Sequence, residues 1–335
     1  MADRKNQLIV LTPESALPVP ALIANAGRRA SRRFVQFFTA NIRNPNTREA
    51  YARAINAFLA WCDEEAHMQL DMIEPVAVAA YVEKLLRDGL SKPTVKQHLA
   101  AIRMMFDWMV TGGVLAVNPA AAVRGPKYVI KKGKTPVLTP DEARLLLNSI
   151  DVRENCGLRD RALLAVMVYT FARVSAVAGL NVEDYYQQGK RWWVRLHEKG
   201  GKHHELPVHH KAEEYLDAYI KAAGIAGAKG TPLWRCLTKE LDRKQDSRVG
   251  RGFGDGRMAR QDIFRMIKKR CREAALGAAA NCHTFRATGI TAYLLNGGSL
   301  EHAQAIAAHE SPRTTKLYDR TSDEITLDEI ERIGI

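Results

Sequence analysis

A basic segment without acidic residues divides the chain near its middle. From Arg124 to Lys134 there are five Lys and Arg residues, no Asp or Glu, two glycines and one proline. Glycine and proline oppose continuous helix, and like charges repel one another, so this composition is typical of an extended linker. The chain has 335 residues, enough for about two domains. We therefore expect two domains joined by a basic linker over residues 124–136.

Before the linker, apolar residues recur at the spacing of helices. Three stretches begin near Asn46, Pro75 and Pro93 and repeat apolar side chains every three or four residues. Asn46 is a suitable N-cap, and proline is favoured in the first turn of a helix. The pattern predicts a small all-helical bundle over residues 34–123. Residues 1–33 have no sustained periodicity, and we expect them to form a flexible N-terminal arm.

After the linker, helical segments surround one short extended region. Thr139 is followed by a proline and two acids, which is a strong helix start. Residues 192–196 and 205–208 are extended and flank a Gly-Gly turn, which predicts a β-hairpin. The fold class is therefore mainly α with a small antiparallel β-sheet in the C-terminal domain, residues 137–320. Residues 321–335 form an acidic C-terminal tail.

Composition limits the classes of partner and of compartment. Lys and Arg number 50 against 37 Asp and Glu, a formal net charge of +13, which favours a polyanionic partner. The five cysteines are odd in number and lack a C-x-x-C pair, so they indicate neither a disulfide framework nor a zinc site. No stretch approaches the roughly 18 apolar residues of a membrane span. We expect a cytoplasmic protein with no membrane partner and no metal.

Six residues after the linker stand in the order Arg, Lys, His-x-x-Arg, His, Tyr. They are Arg173, Lys199, His283, Arg286, His309 and Tyr318. This order, and the intervals that follow Arg286, resemble the tyrosine recombinases, the phage integrase and Xer-type family of site-specific recombinases. One His-x-x-Arg occurs by chance in a chain of this size, but the added His and Tyr at set offsets make a chance match rare. The resemblance covers residues 35–320 and implies a two-domain architecture, with a helical core-binding domain and an integrase-like catalytic domain.

The resemblance also implies a role for each of these residues. Arg173 and Arg286 would bind the non-bridging oxygens of one DNA phosphate, and Tyr318 would attack it to form a 3′-phosphotyrosyl link. Lys199 would protonate the leaving 5′ oxygen, with Lys202 as a weaker alternative, and the two histidines would donate hydrogen bonds or transfer protons. The chemistry calls for no cofactor and no metal. The histidines at 203, 204, 209 and 210 have no matching set of acids or cysteines and are expected to be solvated or to face DNA.

Three positions depart from the family pattern. Ala176 stands where the family usually has an acid after Arg-Val-Ser, and Ala287 stands where it often has a histidine after the second arginine. The usual Leu-Gly-His is Ala307-Ala308-His309 here. None of these changes removes a group that touches the phosphate in the family's mechanism, but the missing acid alters how the pocket is supported.

Basic residues outside the catalytic set are candidates for contacts with DNA phosphates. On the third predicted helix, one strip faces away from the apolar stripe. The candidates are Lys92, Lys96 and Arg103 on this strip and Arg124, Lys127, Lys131 and Lys132 in the linker. Each could equally be a solvated surface charge. The resemblance implies double-stranded DNA with inverted-repeat recombination sites as partner, and a homotetramer on that DNA.

Several alternatives stay open at this stage. The chain could be a type IB topoisomerase-like enzyme that nicks and closes DNA as a monomer, or a catalytically silent DNA-binding accessory protein, which Ala176 and Ala287 would allow. The acidic tail could dock on a neighbouring protomer, as the family's C-terminal helix does, or pack on its own domain. The resemblance favours a nucleoid-associated protein of bacterial, phage or mobile-element origin.

Overall fold

The chain folds into two compact units, Met1–Val129 and Ile130–Ile335. The computed structural model describes residues 19–129, 133–198, 201, 203–238, 252–277, 280–319 and 330–331. The division falls inside residues 124–136, whose role as a linker stays a prediction. None of the helices in these described ranges combines the length and the apolar character needed to cross a bilayer.

The first unit is a bundle of helices around one apolar core. Its helices are α1 Ala21–Asn25, α2 Arg28–Gln36, α3 Pro45–Glu64, α4 Pro75–Arg87 and α5 Lys92–Thr111. The three predicted helices are confirmed as α3, α4 and α5. The N-cap of α3 is Asn44 rather than Asn46, because the Asn44 side chain accepts hydrogen bonds from the backbone N–H groups of Asn46 and Thr47. Proline occupies the first turn of α3, α4 and α5, where its missing N–H group is not needed.

The flexible arm expected over residues 1–33 is wrong for residues 19–33. Helices α1 and α2 bury Leu22, Ile23 and Phe34 in the core of the bundle. The Arg33 guanidinium lies 4.0 Å from the ring centroid of Trp108 on α5, and the Trp108 indole donates to the Arg33 carbonyl at 2.9 Å. These two helices are too short to show a repeating pattern, so only the tertiary contacts reveal them. Residues 1–18 of the predicted arm lie outside the described residues.

The second unit is mainly helical with two small antiparallel sheets, as the predicted fold class requires. Its elements are α6 Pro140–Ser149, α7 Asn155–Tyr169, α8 Val174–Gly179, β1 Tyr185–Gln188, β2 Arg191–His197, β3 His203–Pro207, α9 His210–Ala223, β4 Arg235–Leu237, β5 Phe253–Arg257, α10 Arg260–Glu273, α11 Cys282–Leu295, α12 Leu300–Ile306 and α13 Pro312–Lys316. The predicted hairpin is β2–β3, and β1 adds a third strand that pairs with β2. The helix start at Thr139 is confirmed as a capping box with Glu142.

Helix α7 is the buried centre of the second unit, and two contacts fix the elements around it. Asp160 on α7 accepts hydrogen bonds from Arg159 and from Arg270 on α10, and all three side chains are buried. Gly289 lets α11 approach α7 closely, since a Cβ there would lie 2.1 Å from the Val168 carbonyl oxygen. The helix that carries the predicted His-x-x-Arg motif is therefore held directly against the core.

Candidate active site

Arg286 lies at the centre of the candidate site and is almost fully buried, with a relative exposure of 2%. It projects from α11, and its guanidinium donates to the backbone carbonyls of Phe171 and Ala307. Burial and the nearby charge of Arg173 lower the pKa of Arg286 to about 10. It therefore stays charged near neutral pH, and two distant chain segments orient it.

Both of these segments contain a residue in the left-handed backbone region. Phe171 has φ +53°, and Ala308, which follows the second carbonyl, has φ +48°. Such values are unusual for residues other than glycine because the Cβ atom crowds the backbone. The family's usual glycine at position 308 is explained by this geometry, since the turn before His309 needs a positive φ.

Arg173 occupies the N-cap position of α8, directly before the first helical residue. The other end of α8 is held by Arg257, which donates to the carbonyls of Ala178 and Leu180 at 2.8 Å each. The Arg173 guanidinium donates to the Glu198 carboxylate at 2.5 Å. Glu198 follows β2 and is buried, so the site has an acid that the sequence pattern did not indicate.

His309 and Tyr318 are connected through Thr315. The His309 Nδ1 atom lies 2.9 Å from the Thr315 hydroxyl, and the Tyr318 backbone N–H donates to the Thr315 carbonyl at 2.9 Å. The hydroxyl of Thr291, on α11, donates to the Tyr318 carbonyl at 2.8 Å. Thr315 is fully buried at 0% exposure, which makes this connection rigid. The short helix α13 thus sets the distance between the candidate histidine and the candidate nucleophile.

The two candidate histidines are favoured in their neutral form. Burial, together with the charges of Arg286 and Arg173, lowers the pKa of His309 to about 4. Partial desolvation and the same two arginines lower the pKa of His283, in the first turn of α11. A neutral imidazole can both accept and donate a proton, which suits proton transfer near pH 7.

Five of the six predicted catalytic residues come together in the second unit. Arg173 and Arg286 lie close enough to His283 and His309 to lower the pKa of both histidines, and the Tyr318 ring stacks on the His309 ring with centroids 5.8 Å apart. Lys199 and its alternative Lys202 lie outside the described residues, although Glu198 and His203 on either side of the turn are described. Sequence reasoning missed Glu198 and Thr315. An acid directly before the predicted lysine was the available signal for Glu198.

The predicted DNA-contacting strip on α5 needs one correction. Lys92 and Lys96 are exposed, but the Arg103 guanidinium donates to the carbonyls of Ala120 at 3.2 Å and Val123 at 2.7 Å. Arg103 therefore holds the segment after α5 in place instead of offering its charge to a partner. Helical spacing alone does not reveal this, because the acceptors belong to a loop that folds back. Arg124 and Lys127 are exposed, and Lys131 and Lys132 lie outside the described residues.

The histidines of the sheet region do not form a metal site among the residues that the structure describes. In those ranges no group of three or more His, Cys, Asp or Glu side chains is placed to hold a metal ion. His204 on β3 instead binds the Ile306 carbonyl at 3.0 Å, and the His209 ring stacks on Tyr169 with centroids 4.0 Å apart. His204 thereby joins the hairpin to the helix that precedes His309.

Comparison with known proteins agrees with this geometry. Residues 136–324 match the Phage integrase family, and residues 33–113 match the phage integrase N-terminal SAM-like domain. Tyrosine recombinase XerC of Thermodesulfovibrio yellowstonii is 26% identical over 273 residues, which cover 82% of this chain and 85% of that protein. Tyrosine recombinase XerD of Staphylococcus haemolyticus is 26% identical over 277 residues, covering 83% and 88%.

Solved structures share the fold. The pre-cleavage complex of the XerH site-specific recombinase with its difH substrate matches with a TM-score of 0.65 at 16% identity, covering 93% of this chain and 95% of that one. A lambda integrase tetramer bound to a Holliday junction matches with a TM-score of 0.65 at 16% identity, covering 89% and 79%. With its catalytic unit matched over more than half of the sequence, the chain belongs to the phage integrase family of tyrosine recombinases.

Proposed function

We propose that this protein cleaves and rejoins double-stranded DNA at specific sites through a covalent 3′-phosphotyrosyl link to Tyr318. One observation carries the proposal: the Tyr318 ring stacks on the ring of a neutral His309 with centroids 5.8 Å apart, and Arg286 and Arg173 lie close enough to lower the pKa of that histidine. A phenol, two fixed positive charges and a neutral imidazole are the groups that phosphoryl transfer to a protein side chain needs.

The two arginines form the binding site for the scissile phosphate. Guanidinium groups are planar, permanently charged and able to bind two phosphate oxygens at once. In the pentacoordinate transition state the phosphorus group gains negative charge, so fixed positive charges stabilise it more than they stabilise the substrate. Each such donor is worth about 3 kcal/mol in typical enzymes. Arg286 is oriented by two carbonyls and Arg173 by Glu198, so neither has to be organised during the reaction.

The reaction balances without an outside energy source. The Tyr318 oxygen forms a bond to phosphorus as the bond from phosphorus to the 5′ oxygen breaks, and the phenol proton leaves through a base. An ordinary phenol has a pKa near 10, so ionising one at pH 7 costs about 4 kcal/mol, and the reaction needs a base that takes the phenol proton. Lys199 is our candidate for protonating the leaving oxygen. A 5′ hydroxyl of another strand then attacks the phosphotyrosyl link, which regenerates the phenol.

We further propose that the protein acts in the cytoplasm as a homotetramer on two inverted-repeat sites. Support comes from the lambda integrase tetramer on a Holliday junction, whose fold this chain shares. The proposal has two rivals: a monomer that only nicks and closes DNA, and a silent accessory protein that binds DNA without cleaving it. These rivals differ in whether a covalent complex forms and whether strands from two duplexes are exchanged.

A nicked suicide substrate tests the proposal directly. DNA carrying a candidate recombination site, nicked next to the cleavage point, releases a short fragment and traps the covalent complex. We expect a protein–DNA band in denaturing gels with the unaltered protein and none with Tyr318→Phe, which keeps the ring but removes the nucleophile. Tyr293→Phe, on α11, is the matched control and should keep the band. A band unaffected by Tyr318→Phe, or the lack of a band on every site that the protein protects, would rule out the proposed chemistry.

A further inference from the structure

The family's acid after Arg-Val-Ser is replaced by Ala176, yet Arg173 has an acidic partner. Ala176 lies in the first turn of α8 with a relative exposure of 1% and offers only a methyl group. Glu198 lies 22 positions further along the chain, at the end of β2. Its carboxylate accepts a hydrogen bond from Arg173 Nη1 at 2.5 Å. Helix α8 therefore lacks the family's acid, and an acid is present directly after strand β2.

The geometry of this pair differs from that of a surface ion pair. The Glu198 side chain is 4% exposed, whereas that of Arg173 is 32% exposed. The acid is therefore shielded from water, while the guanidinium remains partly exposed. The hydrogen bond uses one of the three guanidinium nitrogens, so Arg173 can bind a phosphate oxygen without releasing Glu198. An ion pair that contributed only to stability would not require the Arg173 guanidinium to remain accessible.

Electrostatics give a second reason for an acid at this place. Arg173 lies close enough to Arg286 to lower the pKa of the Arg286 guanidinium, and the Glu198 charge opposes this effect. Repulsion between like charges is strong where water is excluded. Without Glu198, the Arg173 guanidinium would move away from the fixed Arg286 in the absence of DNA, and bringing it back would use part of the binding energy of the phosphate.

We propose that Glu198 is a positioning residue for DNA cleavage, which replaces the acid missing at position 176 and holds Arg173 ready to bind the scissile phosphate. Glu198 directly precedes the candidate general acid, Lys199, in the sequence. This inference rests on the proposed cleavage reaction.

Single-turnover formation of the covalent complex tests the proposal with Glu198→Gln and Glu198→Ala. Loss of a residue that orients a ligand-binding group typically lowers activity by about 10–100-fold. We expect a decrease in this range for Glu198→Ala and a smaller one for the nearly isosteric Glu198→Gln, which keeps an oxygen acceptor. Glu205→Gln is the matched control: this acid on β3 pairs with Arg195 at 2.7 Å, but both side chains are substantially exposed. It should leave the rate within about 2-fold, as expected for a surface pair.

A neutral substrate separates positioning from a general loss of structure. A methylphosphonate at the scissile position removes one negative charge from the phosphate, so cleavage should depend less on Arg173. We expect the Glu198→Ala decrease to shrink to less than about 3-fold on this substrate, and to shrink likewise on normal DNA when Ala176→Glu restores the family's acid. Equal decreases on both substrates without rescue, or wild-type rates for both Glu198 variants, would overturn the inference. Lack of a Tyr318-dependent band in the unaltered protein would instead overturn the proposed function.

Discussion

The left-handed backbone at Ala308 leads to a quantitative prediction about stability. Ala308 has φ +48° and lies between the Ala307 carbonyl that orients Arg286 and the candidate catalytic His309. A non-glycine residue in this region costs about 1–2 kcal/mol. Glycine removes that strain but gains about 0.4–1 kcal/mol of entropy in the unfolded chain. Ala308→Gly should therefore raise the free energy of unfolding by about 0.5–1 kcal/mol.

The chain offers a matched control at Ala275. This alanine follows α10, has φ +54° and is exposed, away from the catalytic set. Ala275→Gly should stabilise the protein by a similar amount, because glycine is the preferred residue just after a helix end. For a unit of about 200 residues, 1 kcal/mol corresponds to about 2–4 °C in the melting temperature. Both glycine variants should thus melt about 1–4 °C higher than the unaltered protein.

Calorimetry and the suicide-substrate assay together decide whether the strain lies where the structure places it. Ala308→Gly should keep the cleavage rate within about 2-fold, since the His309 backbone N–H still donates to the Gln304 carbonyl. Ala308→Val should destabilise the protein and slow cleavage, because a β-branched side chain tolerates positive φ poorly. Ala275→Val should destabilise without slowing cleavage. Stabilisation by Ala275→Gly but not by Ala308→Gly would refute strain at the site.

Three further predictions follow from the same contacts. Because the pKa of His309 is lowered to about 4 from an ordinary value of 6.5, the unfolded chain binds more protons between these values, and stability falls as pH drops through this window. When the pH falls from 7 to 5, the free energy of unfolding measured with urea should therefore decrease by about 2 kcal/mol less in His309→Gln than in the unaltered protein. Equal decreases would contradict the burial of His309. Gly289→Ala should destabilise the protein by at least about 2 kcal/mol, because the added methyl group would lie 2.1 Å from a carbonyl oxygen of α7. Gly277→Ala, which has open space around it, should leave the melting temperature nearly unchanged. In filter binding, Lys96→Ala should lower the salt dependence of DNA affinity by about one ion. Arg103→Ala should lower stability and leave that salt dependence unchanged, because the Arg103 guanidinium binds two backbone carbonyls. A reduced salt dependence for Arg103→Ala would contradict this structural role.

Much of the architecture was predictable because it depends on local patterns. The helices that begin near Pro75 and Pro93 follow from apolar spacing and proline in the first turn, both of which act within a few residues. The two short helices before residue 37 were missed, since they bury few side chains each and depend on tertiary contacts, α1 with α3 and α2 with α5. Arg103 was misassigned for a similar reason, because its acceptors come from a loop 17 and 20 residues away.

The sequence by itself determined the identity and order of the candidate catalytic set, because the residue types and their intervals are written along one chain. The tertiary structure alone decided how that set is supported. Arg286 is oriented by the carbonyl of Phe171, 115 positions earlier, and Arg173 by the carboxylate of Glu198, 25 positions later. Such partners leave no periodic signal, since backbone carbonyls are present in every residue and an acid acquires meaning only through its neighbours. The chemistry of the site is thus encoded by residue type, and its preorganisation by contacts between segments that folding brings together.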